Sequence, residues 1–264
     1  MSDSGLAAFS LEGRTAVITG AGSGIGRGAA IAFAGAGASL VLADINEAGL
    51  DETAQLTGGS PLCRKVDVAV RGEVDALADA ALAHAGRIDI WANVAGTTTA
   101  KPLLDITDEM VDRIVDINLK GVLWGCIAAA RAMKEQGSGA IVNISSTGGT
   151  SPPPTQTVYA ATKAAVDAIT RNVALEMGPF GIRANTVSPG WIDTPLAGGM
   201  FRREDGSVDT ERREQVMHML TSASPLGITG VPADIANAMV WLASDASRYV
   251  TGQNIFVNGG TSMV

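Results

Sequence analysis

Residues 14–26 read RTAVITGAGSGIG, and the order of residue types in that stretch decides the architecture. An apolar run from Arg14 to Gly20 stops at a cluster of glycines, and an Ala-rich segment of helical length follows at once. Strand, glycine turn and helix in that order open a doubly wound sheet, because the chain must cross back to lay down the next parallel strand. The rest of the sequence keeps the rhythm. Apolar runs Ser39 to Asp44 (SLVLAD), Leu62 to Val68, Ile88 to Asn93 (IDIWAN), Ala140 to Ser145 (AIVNIS), Arg183 to Ser188 and Asn254 to Val257 follow the first. Between them lie helical segments near 24–36, 47–57, 70–85, 108–136, 157–178 and 233–243. Strands apolar on both faces need cover on both faces, so the expected fold is α/β, a Rossmann-like doubly wound parallel sheet.

With 264 residues, 46% of them hydrophobic, one large core needs no staples. No linker or repeat divides the chain, which predicts a single domain over 1–264. One stretch, 194–226, breaks the pattern with charges and methionines and no strand character; a segment of that length is either a substrate lid or locally mobile. Its His218, Met217 and Met219 either pack a lid face on the core or line a pocket. A net charge of −8 with no basic cluster excludes a nucleic-acid binder. No apolar run approaches the ~18 residues of a membrane span, and Met1 to Leu11 carries no Lys or Arg, so no signal peptide is expected. Cys63 and Cys126 form no CxxC pair, and His84 and His218 have no ligand spacing. A cytoplasmic protein with reduced thiols and no metal is expected.

The glycine turn, Gly20 to Gly26 with Ser23, Gly24 and Ile25, has the context a dinucleotide pyrophosphate needs. Glycines let the backbone approach the phosphates, and a helix N-terminus offers unpaired N–H groups. Asp44 closes the second strand, 20 residues after Gly24, where a carboxylate accepts from both hydroxyls of an adenosine ribose. A 2′-phosphate would meet like charge there, and the neighbours Ser23, Ile45 and Asn46 are not basic. Arg27 is the one residue that argues otherwise. The expected cofactor is NAD rather than NADP.

Tyr159 and Lys163 are four apart in an apolar-periodic segment, so both fall on one helix face. A phenol of ordinary pKa near 10 is a poor base at neutral pH, but an adjacent ammonium and a cationic nicotinamide both favour the phenolate. Tyr159 can then exchange a proton with a substrate hydroxyl while hydride leaves the same carbon.

With these residues in hand the chain resembles the short-chain dehydrogenase/reductases of roughly 250 residues. The likeness runs from Thr19 to Gly260 through the TGAGSGIG turn, Asp67-Val68, Asn93-Val94-Ala95-Gly96, Asn118 in DINLKG and Ser145-Ser146. It continues with Tyr159-x-x-x-Lys163, Ser188-Pro189-Gly190, Thr194, Thr251-Gly252-Gln253 and Asn258-Gly259-Gly260. The resemblance implies that Ser146, 13 residues before Tyr159, hydrogen-bonds the substrate oxygen, with Ser145 the lesser candidate. It implies that Lys163 holds the nicotinamide ribose and that Asn118 anchors a water relaying protons from Lys163. By the same likeness Asp67 and Val68 contact adenine, and the Asn93, Ala95 and Gly96 loop passes under the adenosine ribose. Pro189, Ile192 and Thr194 orient the nicotinamide. Val94 departs from the family's usual second Asn, at a mainly structural position.

In such a sheet the ligand binds beyond the carboxyl ends of the strands, so loops 96–104, 147–157 and 190–226 shape the substrate pocket. They offer Thr97, Thr98, Thr99, Pro152, Pro153, Pro154, Trp191, Leu196, Met200 and Met217. Trp191 beside the nicotinamide site suits an apolar or cyclic secondary alcohol or ketone. Ala-rich surfaces in 108–136 and 157–178 either face the sheet or pack subunits; the resemblance implies a homotetramer. Two rivals stand beside the dehydrogenase. One is an NADPH-dependent 3-oxoacyl-carrier-protein reductase, which would want a basic residue near Asp44 and a basic docking patch. The other is a catalytically silent dinucleotide sensor, which would be expected to lose Ser146, Tyr159 or Lys163.

Overall fold

The computed structural model describes residues 4–201, 203 and 207–263, the side chains of Ser4 and Met200 apart. Seven strands form one wholly parallel sheet in the order β3-β2-β1-β4-β5-β6-β7. They are β1 (Thr15–Thr19), β2 (Ser39–Asp44), β3 (Leu62–Lys65), β4 (Ile90–Asn93), β5 (Gly139–Ile144), β6 (Ile182–Pro189) and β7 (Asn254–Val257). The helices are α1 (Ser4–Ala7), α2 (Gly24–Gly35), α3 (Glu47–Leu56), α4 (Arg71–Ala85), α5 (Asp108–Val115), α6 (Gly121–Gln136), α7 (Thr157–Met177), α8 (Pro195–Gly198), α9 (Thr210–Ala223) and α10 (Pro232–Ala243).

Alternate strand residues supply two cores, one per face. Val17, Val41, Trp91 and Ile141 point to one side, where Val74 and Leu77 of α4, Val122 and Ala129 of α6 and Val166 of α7 cover them. Ile18, Leu42, Ile90 and Val142 point to the other, under Ala29 and Phe33 of α2, Leu50 of α3 and Ile235 and Met239 of α10. The strand order reverses between β1 and β4. That reversal opens the crevice in which ligands of such sheets bind.

Three departures from the sequence reading have local causes. The expected strand 62–68 ends at Lys65: Val66 N still bonds the Asp44 carbonyl, after which the chain turns out at Asp67. The expected helix 108–136 spans that range but is broken by a π-helical turn, Asp116–Lys120, with Asn118 fully buried inside it. Such bulges gather at functional sites. Finally, the irregular stretch 194–226 contains a 14-residue helix, α9, none of whose residues is buried.

Candidate active site

At the carboxyl end of β1 the chain makes its glycine turn into α2. Gly20 and Gly24 take positive φ, +70° and +51°, and a Cβ on Gly20 would fall 2.7 Å from the Ala95 backbone. The turn therefore lies directly on the loop that follows β4. Gly24 abuts Thr194, whose side chain would stand 3.3 Å from an added Cβ. Ser23 holds the N-cap position of α2 but makes no side-chain cap bond, so the first-turn N–H groups have no capping oxygen. Bare backbone, a helix N-terminus and an uncapped first turn fit a pyrophosphate.

Asp44 ends β2 half-buried, accepting from Gly22 N (Oδ2, 2.9 Å) and Asn46 N (Oδ1, 2.9 Å). These bonds fix its carboxylate against the turn. Arg27 is spoken for: its guanidinium bonds Gly22 O at 2.6 Å, Thr53 Oγ1 at 3.0 Å and Glu52 at 2.7 Å. The register also brings Lys65 beside Asp44, a neighbour the sequence alone did not show, and its ammonium goes to Glu47 at 3.2 Å. Asp67 Oδ1 caps Ala69 N at 2.9 Å, and Val68 is buried against Gly121.

Asn93 is in place at the end of β4, but its side chain turns away from the crevice. Oδ1 accepts from Trp91 Nε1 at 2.8 Å, Nδ2 donates to Asn143 Oδ1 at 2.8 Å, and Asn143 Nδ2 in turn donates to Thr170 Oγ1 at 2.9 Å. This buried network ties β4 and β5 to α7, so any contact of Asn93 with a ligand falls to its backbone. Val94, where the family usually has Asn, packs against the second core.

Beyond the ends of β4 and β5 four further residues meet. Tyr159 and Lys163 lie on the inner face of α7, with the ammonium 5.7 Å from the phenol ring centroid. Lys163 is buried, and its Nζ donates to Ile144 O at 2.8 Å. Ser146 and Tyr159 flank Gly148: a Cβ there would lie 3.3 Å from Ser146 Oγ and 3.7 Å from Tyr159 Cε1. Ser146 Oγ accepts from Gly148 N at 3.0 Å. Adjacent Ser145 faces inward, donating to the Lys163 carbonyl at 3.1 Å. Gly96 stands near both Lys163 Nζ and Asn118 Oδ1, 3.8 and 3.5 Å from an added Cβ. Asn118 bonds the Thr97 backbone twice, accepting from N and donating to O at 2.8 Å each. Its amide thereby holds the loop, and one Nδ2 hydrogen and one Oδ1 lone pair remain after those two bonds.

Electrostatics partly oppose the expectation for Tyr159. Burial pushes the phenol up, and the Ser146 hydroxyl pulls it back. The phenolate thus needs positive charge brought to it. Burial also lowers the Lys163 ammonium to about 8, with Asp167 opposing.

Pro189 and Ile192 are buried, and Trp191 and Thr194 half-buried, where β6 leaves the sheet. Trp191 packs on buried Phe201, ring centroids 6.5 Å apart. Both ends of the 194–226 stretch are pinned: Ile192 bridges Gly230, Asp193 N bonds Gly230 O, and Arg213 of α9 pairs with Asp193 at 2.8 Å. Met217 is half-buried, whereas His218 and Met219 are exposed. Thr97, Thr98 and Thr99 line a cavity with Met110, Arg113 and Ile114. Among the described residues no helix is long and apolar enough to cross a membrane, and no cluster of His, Cys, Asp and Glu could hold a metal ion.

A parallel sheet with a bare glycine turn at its reversal point, and a tyrosine, lysine and serine gathered beside it, defines a dinucleotide-dependent oxidoreductase. Comparisons with known proteins agree. A family profile described as enoyl-(acyl carrier protein) reductase matches residues 20–262. The chain is 37% identical to 3beta-hydroxysteroid dehydrogenase 1 of Eggerthella lenta, over 96% of this chain and 95% of that one. It is likewise 37% identical to a 3-oxoacyl-(acyl-carrier-protein) reductase of Thermotoga maritima (95% and 98%). It is 39% identical to an L-rhamnose 1-dehydrogenase (NAD(P)(+)) of Azotobacter vinelandii (94% and 96%). A solved structure of a putative short-chain alcohol dehydrogenase from Sinorhizobium meliloti superposes with a TM-score of 0.89 at 33% identity, covering 96% of this chain and 98% of that one. The chain belongs to the short-chain dehydrogenase/reductase family, whose members use NAD(P).

Proposed function

We propose that this oxidoreductase is NAD-linked and interconverts a secondary alcohol and a ketone by direct hydride transfer, with Tyr159 as its acid/base. The reading rests on the gathering of the Ser146 hydroxyl, the Tyr159 phenol and the Lys163 ammonium beside the glycine turn. Bound nicotinamide supplies the hydride acceptor or donor; the chain supplies position, charge and the proton. Ser146 donates to the substrate oxygen and holds it against Tyr159. Tyr159 takes the hydroxyl proton in oxidation and returns it in reduction. Lys163 favours the phenolate and holds the ribose of the nicotinamide, and Asn118 keeps the 97 loop in register with the π-turn. Gly20, Ser23, Gly24, Ile25 and Gly26 would cradle the pyrophosphate. Asp67, Val68, Asn93, Ala95 and Gly96 would lie along the adenosine half, and Pro189, Ile192 and Thr194 along the nicotinamide.

NAD is favoured by Asp44, whose carboxylate is held against the glycine turn while the neighbouring cations Arg27 and Lys65 are paired to Glu52 and Glu47. NADH should bind at least about tenfold more tightly than NADPH, a gap of about 1.4 kcal/mol, and Asp44→Ala should narrow that gap. Fluorescence titration with both cofactors decides it. Tighter binding of NADPH would favour the second reading, a 3-oxoacyl-carrier-protein reductase, which the Thermotoga maritima relative makes the natural rival.

Trp191, Phe201 and the threonines 97–99 suit an apolar or cyclic substrate, and the Eggerthella lenta relative's name points the same way. Residues 194–226 act as its lid: their ends are pinned at Ile192 and Gly230, while α9 buries none of its residues. An initial-rate screen of cyclic and acyclic alcohols and ketones with NAD(H) and NADP(H) tests the whole reading; no turnover with any of them would leave the silent sensor. Of the alanines in α6 and α7, Ala128, Ala129, Ala160 and Ala174 are buried, but Ala161 and Ala164 are exposed. This outward small-residue surface supports a homotetramer, for which light scattering should give about four times the 26.9 kDa chain. Two unpaired cysteines support a cytoplasmic enzyme.

A further inference from the structure

Behind Lys163 lies a carboxyl that none of the roles above uses. Asp167 follows Lys163 by one turn of α7, so both leave the same helix face, and Asp167 is only 7% exposed. Its Oδ2 accepts from Asn254 Nδ2 of β7 at 3.0 Å. Its Oδ1 is buried and finds no donor in hydrogen-bonding geometry. The Ser145 and Thr186 hydroxyls lie close enough to favour its ionised form, although Ser145 Oγ also meets the Lys163 carbonyl at 3.1 Å and Thr186 Oγ1 the Gln253 carbonyl at 3.3 Å. A carboxylate held this way is costly unless a charge answers it.

Lys163 has the complementary deficit. It is 4% exposed, and its ammonium donates to one neutral oxygen, that of Ile144, with no carboxylate paired to it directly among the described residues. The groups facing this pair are Tyr159 and Arg171 on α7, Ser145 just after β5, Thr186 on β6 and Asn254 on β7. Asp167 is the one acid among them.

We propose that Asp167 is a positioning residue, the buried counter-charge that keeps the Lys163 ammonium protonated while Tyr159 exchanges its proton. This rests on the roles assigned above to Tyr159 and Lys163. Burial draws the ammonium down to about 8 while Asp167 holds it up, so Lys163 titrates close to working pH and depends on its counter-charge. Burial in turn raises the Asp167 carboxyl, against Ser145, Thr186, Arg171 and Lys163, which favour its ionised form.

Asp167→Asn keeps the shape, and keeps an oxygen for Asn254, while deleting the charge. Without a nearby negative charge the ammonium gives up its proton more readily. The alkaline limb of kcat for alcohol oxidation should therefore move to lower pH, by at least about half a unit, whereas a merely structural defect lowers kcat and leaves the limb in place. Asp167→Glu should return the limb toward its original position. An unshifted limb in Asp167→Asn overturns the proposal, as does an equal shift in Asp167→Glu. In the unaltered protein the 13C resonance of Lys163 Cε should show a second inflection at acid pH, where Asp167 takes up its proton; a single inflection also overturns it. An inactive Tyr159→Phe beside an unshifted Asp167→Asn rejects this inference alone, and an active Tyr159→Phe rejects the reading beneath it.

Discussion

Tyr159→Phe should lower kcat for alcohol oxidation by at least about a thousandfold, at the upper end of what a positioned acid/base contributes. The substitution removes one oxygen and leaves the ring. That ring is half-buried on α7 between Gly148 and Lys163, and its packing survives the change. NADH affinity should consequently stay within about twofold, a difference of about 0.4 kcal/mol. The lost rate corresponds to about 4 kcal/mol of barrier, and it appears in kcat because the proton moves only in the transition state. No neighbour can take over. Ser146 Oγ accepts from Gly148 N, and an aliphatic hydroxyl is a far weaker acid than a phenol. Lys163 Nζ is engaged by Ile144 O. A variant retaining a tenth of the turnover would move the acid/base role away from Tyr159. The proton acceptor must be ionised for oxidation, so Tyr159→Phe should lose the acid limb of the pH profile as well as the rate.

Much of this site was legible before any coordinates, for reasons particular residues make clear. Parallel strands buried on both faces read as unbroken apolar runs, so β1, β2 and β6 lay where Val17, Leu42 and Val187 put them. The Tyr159–Lys163 spacing depends only on helix geometry, and a 21-residue helix keeps it. Ser146 is preferred to Ser145 through the family resemblance, and the structure turns Ser145 inward to the Lys163 carbonyl. The features that stayed hidden are tertiary. Asn93 looks like a loop residue at a strand end, yet its amide is consumed by Trp91 and Asn143, residues of β4 itself and of neighbouring β5. The π-turn at Asn118 has no residue signature of its own, and the burial of that Asn is set by the Thr97 backbone it bonds. Helix α9 buries no residue fully and its half-buried stripe, Val216, Met217 and Leu220, is short, although Asp209, whose side chain accepts from Arg212 N, is a recognisable cap. Asp167 looks in sequence like an outward charge on an amphipathic helix. Only the packing of β6 and β7 encloses it.

Gly26→Ala should damage the dinucleotide site and the fold together. Gly26 is buried in the first turn of α2, and its φ is one any residue can adopt, so backbone strain is not the issue. Contact is. A Cβ there would collide with the Gly20 carbonyl oxygen and lie 2.6 Å from the carbonyl carbon, both backbone atoms fixed at the end of β1. Neither can swing aside as a side chain would, so α2 must back away from the sheet. That motion disturbs Ala29, Ala30 and Phe33, all buried in the core beneath the helix, and overpacking of this kind costs about 1–3 kcal/mol. It also displaces the turn whose N–H groups would meet the phosphates. NADH affinity should fall at least about tenfold, with a lowered thermal midpoint. Gly35, at the other end of the same helix, supplies the control. A Cβ there meets nothing within 4 Å, and its φ is not positive. Gly35→Ala should leave NADH binding unchanged and shift stability by no more than about +1 kcal/mol, through the reduced freedom of the unfolded chain. Equal effects at the two positions would mean that helix composition, rather than the close approach of α2 to β1, sets the requirement for glycine at the turn.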